Sequence, residues 1–117
     1  MQGLTIIVAS PDRERFRSAL EVAAASAALG RATRLFLQGA AASLLQPSVE
    51  EAELEASGAP GRHQLMEETL ALGATLTVCQ SGIALAGMRA DRLPDGVDTG
   101  GLVELLATAR DHQIVMA

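Results

Sequence analysis

The sequence predicts an α/β domain built on a parallel sheet, from three observations. Leu4-Thr5-Ile6-Ile7-Val8-Ala9 is an almost continuous β-branched run, the pattern of a strand covered on both faces. It is followed by helical spacing, with Phe16, Leu20, Ala23, Ala24 and Ala27 on one face, while Arg13, Glu14, Arg17 and Glu21 lie on others. Finally, Ala28-Leu29-Gly30 leads through an apolar run to Gln38-Gly39, and Ala71-Leu72-Gly73 leads through another to Gln80-Ser81-Gly82. Two matching helix, glycine, strand, loop passages are what parallel strands joined by crossover helices require. They are too short to be an internal repeat.

In order, the first strand is expected inside the sheet, over Thr5 to Ala9, because its apolar run needs cover on both faces. Ser10 then caps a helix, Pro11 suits its first position, Asp12 favours the positive end of its dipole, and Gly30 stops it. Ala32 to Leu37 reads as the second strand, and Ala40 to Leu45 as a short helix before Pro47. Pro47 to Gly61 reads as a mobile connection carrying one helical turn around Val49 to Leu54, its acidic residues in solvent. A helix from Arg62 to Leu72 precedes the third strand, Ala74 to Cys79, a turn at Gln80-Ser81-Gly82 and a short helix over Ile83 to Met88. The turn-rich stretch from Leu93 to Gly101 holds a short strand at Gly96-Val97. Leu102, Leu105, Leu106 and Ala109 then line a last helix, and Gln113 to Met116 forms the final strand. One domain spanning residues 1–117 is expected, since 117 residues suffice for one core and not two.

Composition narrows the function. A net charge of −5 leaves no surplus of basic residues for nucleic acid. All nine basic residues are arginine, so Schiff-base lysine chemistry and lysine-dependent phosphate loops are excluded. No run approaches the roughly 20 apolar residues of a membrane span, and the start of the chain has no targeting pattern. The single cysteine fits a reducing compartment, so a cytoplasmic location is expected. Only two aromatic residues, Phe16 and Phe36, are available, so the core rests on Ala, Leu, Val and Ile. Small side chains bury little area each, and a homo-oligomer is expected to supply further burial.

In open parallel sheets ligands gather beyond the carboxyl ends of the strands. There the sequence places Ser10, then Gln38 and Gly39, then Cys79, Gln80, Ser81 and Gly82. Cys79 is the one strong nucleophile among them, at a strand end where free N–H groups favour a thiolate. The competing reading of a lone cysteine in an apolar run is a small buried hydrophobe. His63 and His112 read as ordinary surface residues, and no metal is expected because no ligand spacing is present. The segment Ala9-Ser10-Pro11-Asp12 lacks a glycine fingerprint, so no dinucleotide and no other cofactor is expected. Asp98-Thr99-Gly100-Gly101 reads first as a loop leading into the last helix, with a turn that binds a small anion as the alternative.

The order of these elements, with Ile6-Ile7-Val8, Ala27-Ala28-Leu29-Gly30, Leu35-Phe36-Leu37-Gln38-Gly39, Leu72-Gly73-Ala74, Val78-Cys79, and Gly96-Val97 through Gly101-Leu102, resembles the DsrE/DsrF-like family of small sulfur-relay proteins. The likeness covers nearly the whole chain. It implies a three-layer α/β sandwich with a mainly parallel sheet of about five strands, assembled as trimers or hexamers. It further implies that Cys79 carries sulfur as a persulfide, taken from and passed to other proteins or small thiols, because no second cysteine is present. Ser10, Gln38, Gly39, Gln80, Ser81 and Gly82 are then the expected pocket. The rival reading is a non-catalytic oligomeric module that binds a small ligand or a protein at the same rim, with Cys79 structural.

Overall fold

A computed structural model describes residues 1–117. Its sheet has five strands, β1 (Leu4–Val8), β2 (Thr33–Leu37), β3 (Thr75–Cys79), β4 (Val97–Gly100) and β5 (Gln113–Met116). They are ordered β4-β3-β2-β1-β5, and every pairing is parallel. The expected fold class is observed, and β1 lies inside the sheet with all five of its residues buried. The last strand returns to the far side of β1 rather than extending the β3–β4 edge.

Register divides the strand residues between two faces. Ile6 stands beside Leu35 and Val115, and Leu35 beside Leu76, so these share one face; Ile7, Phe36 and Thr77 share the other. The first face carries the main core. Helices α1 (Arg13–Ala28) and α3 (Arg62–Ala71) bring Phe16, Leu20, Ala23 and Met66 onto Leu4, Ile6, Val8, Leu35, Leu37 and Leu76. Six alanines in α1 keep helix propensity high and side chains small, which suits close packing on a sheet. The second face is covered by the short helix α5 (Leu102–Thr108), whose Leu105 meets Ile7 and Phe36.

Several local expectations need correction. Asp12, not Ser10, caps α1, its carboxylate accepting from the Arg15 N–H at 3.0 Å. Pro11 therefore lies outside the helix, and the buried face of α1 includes Ala19 and Ser26, with Ser26 Oγ 2.8 Å from Thr33 Oγ1. The acidic segment forms an eight-residue helix, α2 (Val49–Ala56), rather than a single turn. Ser48 caps it by accepting from the Glu51 N–H, and Glu51 leaves solvent to join Arg13 and Arg62 at 3.0 and 2.7 Å. The expected turn at Gln80-Ser81-Gly82 is already helical, in α4 (Gln80–Leu85). Asp98 to Gly100 belongs to β4 rather than to a loop, held at the sheet edge by parallel pairing with β3. His63 is exposed and lies 2.8 Å from Glu67. His112 is half-buried; its Nδ1 lies 2.9 Å from the buried Thr5 Oγ1, and its ring occupies the space where a side chain on Gly3 would stand. A neighbour without a Cβ, unforeseeable at the other end of the chain, is what makes room for it.

Candidate functional site

The end of β3 delivers Cys79 to the rim on the same face as Phe36 and Thr77, opposite Gly100 of β4. Cys79 is itself the N-cap residue of α4, so its side chain stands where the first helical N–H groups are free of intrahelical partners. Around it is an open pocket of about 380 Å³. Its walls come from three places: Gln38 and Gly39 at the end of β2, Gln80 and Ser81 at the start of α4, and Gly100 to Leu102 at the junction of β4 and α5.

The thiol is half-buried and makes one close contact, Sγ to Ser81 Oγ at 3.0 Å. The N–H groups of Gly82, Gly39 and Ser81 also face the sulfur, too loosely to count as cap hydrogen bonds but with their positive ends toward it. Burial by itself raises the thiol's pKa; the Ser81 hydroxyl, followed by the Gly82, Gly39 and Ser81 amides, outweighs it, so the net pKa is lowered. The arrangement therefore favours a thiolate in a partly accessible position, the combination that makes a cysteine nucleophilic.

Backbone shape holds these donors in place. After β2 the chain enters a 3-10 segment, Gly39–Leu45, and Gly39 begins it at φ +57°, the left-handed region that glycine enters without strain. Gly82 packs against this segment: a Cβ there would collide with the Gly39 carbonyl oxygen and stand 3.2 Å from the Ala42 Cβ. Because the obstacle is backbone, Gly82→Ala must separate α4 from the Gly39 segment. Thermal unfolding should show a loss of about 1–3 kcal/mol, the usual cost of overpacking, and the Cys79 pKa should rise as the Gly39 and Gly82 amides withdraw.

Of the expected site residues, Gln38, Gly39, Cys79, Gln80 and Ser81 line one pocket, and Gly82 contributes its amide from behind. Ser10 is not among the lining residues, and its capping role is taken by Asp12. Reasoning from the sequence missed Gly100, Gly101 and Leu102 as a wall. A Gly-Gly pair directly before an apolar helix start was the available signal, since it allows backbone to approach a neighbouring group closely. No group of three or more His, Cys, Asp or Glu residues stands in metal-binding proximity, and no helix is long and apolar enough to cross a membrane.

Fold and site together define a parallel α/β domain with an acidified thiol at the carboxyl end of an inner strand, set between two other strand ends. The chain belongs to the DsrE/DsrF-like family, whose sequence profile matches residues 2–116. Among solved structures it is similar to the YchN protein of E. coli, with a TM-score of 0.69 and 21% identity over the full length of both chains. It is also similar to MTH1491 of Methanobacterium thermoautotrophicum, described as of unknown function, with a TM-score of 0.68 and 14% identity, again over both full chains. BT1422 of Bacteroides thetaiotaomicron, likewise described as of unknown function, gives 0.67 and 17%, covering 97% of this chain and 94% of its own. At these identities the likeness is one of fold. No curated protein matches the sequence.

Proposed function

We propose that this protein is a cytoplasmic sulfur carrier, a single domain that holds sulfur as a persulfide on Cys79 and passes it to a partner thiol. The family is generally linked to sulfur relay, and the observation that carries the reading here is the lowered pKa of a half-buried thiol beside Ser81 and three backbone amides. In the loading step the Cys79 thiolate attacks the outer sulfur of a donor persulfide. A new S–S bond forms at Cys79, the donor's S–S bond breaks, and the donor leaves as a thiolate. In the delivery step an acceptor thiolate attacks the outer sulfur of the Cys79 persulfide, and the Cys79 thiolate is the leaving group. Two electrons move with each bond exchange and nothing is oxidised overall. The low Cys79 pKa makes it a good leaving group, which suits a carrier that must give its sulfur away.

With one cysteine in the chain, donor and acceptor are other molecules. The open pocket fits that need, because a partner's sulfur must reach Sγ in line with the bond being broken. Association into a trimer or a multiple of it belongs to the same reading. The edge strand β5 leaves Ile114, Val115 and Met116 at 45%, 39% and 61% exposure, apolar surface that an unprotected edge seldom shows in isolation. Light scattering across micromolar dilutions should give a mass well above that of one chain, and a constant single-chain mass would refute assembly.

The pH dependence of alkylation tests the thiolate. An unperturbed cysteine loses reactivity as pH falls through about 8.5; Cys79, with its pKa lowered, should stay fast below that point and slow only through its own lower value. Ser81→Ala removes the one close donor and should move the inflection upward without changing the circular dichroism spectrum. An inflection at the free-thiol value in the wild-type protein would favour the binding-module reading.

A further inference from the structure

On the opposite side of the sheet from Cys79, helices α1, α2 and α3 enclose a second cavity, of about 280 Å³. We propose that it binds a small amphipathic anion, an acid headgroup with a short apolar tail, independently of the sulfur reading. Its apolar lining is formed by Phe16 and Leu20 of α1, Leu54 of α2 and Leu65 of α3. Phe16 and Leu20 also belong to the main core, so this side of the cavity is rigid.

Charge at the rim specifies the headgroup. Arg13, Arg17 and Arg62 all line the cavity. Glu51 Oε1 accepts from both Arg13 Nη1 and Arg62 Nε, so one carboxylate serves two guanidinium groups. The Glu51 and Arg62 side chains are only 13% and 11% exposed, so in this nearly buried cluster a single carboxylate faces two guanidinium groups. Glu50 lies 3.7 Å from Arg13 with its side chain 76% exposed, where water screens it, and Glu14 on the rim pairs with none of the three arginines. Arg17 donates Nη1 to the Pro60 carbonyl and lies 3.6 Å from an exposed Glu21.

The Nη2 groups of all three arginines have no protein partner. No side-chain nitrogen sealed from solvent lacks a partner, so Arg62 Nη2, on a side chain nearly buried, keeps contact with open space, and Arg62 lines this cavity. Unused guanidinium donors on three arginines that line one cavity with four apolar side chains are the features of a site for a carboxylate with a hydrocarbon tail. The α2 wall of the cavity has no buried residue of its own.

The test uses sodium octanoate and its neutral analogue 1-octanol, titrated into the full-length protein and followed by amide chemical shifts. Octanoate should give saturable shifts confined to α1, α2 and α3, with 1-octanol binding about tenfold more weakly for want of the charge-assisted hydrogen bonds. Arg17→Gln, which leaves the Arg13–Glu51–Arg62 cluster intact, should weaken octanoate several-fold. Leu54→Trp, at a side chain 41% exposed, should fill the cavity and abolish binding while preserving fold and persulfide uptake. Absence of saturable shifts, equal binding of 1-octanol, or undiminished binding to Leu54→Trp would each overturn the proposal, whatever the outcome at Cys79.

Discussion

Cys79→Ser is expected to lose sulfur uptake entirely. After incubation with a persulfide donor, intact-mass measurement of the wild-type protein should show a gain of about 32 Da, the mass of one sulfur atom, reversed by reductant as thiol–disulfide exchange requires. The serine variant should show none, because a hydroxyl is neither ionised near neutral pH nor able to form the S–S bond. Its fold should survive, since the change is nearly isosteric and Cys79 is only half-buried at the edge of the second core cluster. This separates a carrier from a binding module: uptake of sulfur by the serine variant, or none by the wild type from any persulfide donor, would remove Cys79 from the mechanism.

The second large effect is expected at Phe36, which the sheet buries completely. Its ring stands on the thinly covered face, where Ile7, Leu105 and partly buried Cys79 and Leu102 are its company. Phe36→Ala should cost about 3–5 kcal/mol in denaturant unfolding, the range for loss of a buried aromatic with its cavity. The consequence should reach the pocket. Without the ring, α5 loses the surface against which Leu105 rests, and the Gly100 to Leu102 wall beside Cys79 loosens with it. Faster hydrogen exchange in α5 than in α1, and a less selective Cys79 toward alkylating reagents of different size, would record that coupling. Unchanged stability would show that the second face needs no aromatic anchor.

The strands and the major helices were legible because their signals are local. A β-branched run such as Leu4 to Val8 can be satisfied only by cover on both faces, and its place inside the sheet follows. Gly30 and Gly73, at φ +88° and +104°, mark the ends of α1 and α3 by a conformation few other residues tolerate. Cys79, Gln38 and Gly39 could be assigned to one rim for a similar reason: parallel strands put all their carboxyl ends on the same side. Ser10 shows the limit of that logic, since the end of β1 is also at the rim but does not line the pocket that β2, β3 and β4 create.

What the sequence by itself determined is the class of fold, the position of Cys79 at a strand end, and the family to which those features belong. Tertiary structure alone decided which further residues wall the pocket of the sulfur and what the charged segments do. Gly100 and Gly101 come beside Cys79 only because β4 pairs with β3, a choice of strand order that no local pattern encodes. Glu51 leaves water only because Arg13 and Arg62, from two different helices, converge on it. In both cases the deciding energy lies in contacts between distant parts of the chain, where backbone approach or charge pairing exists only after the sheet and its helices have closed around one another.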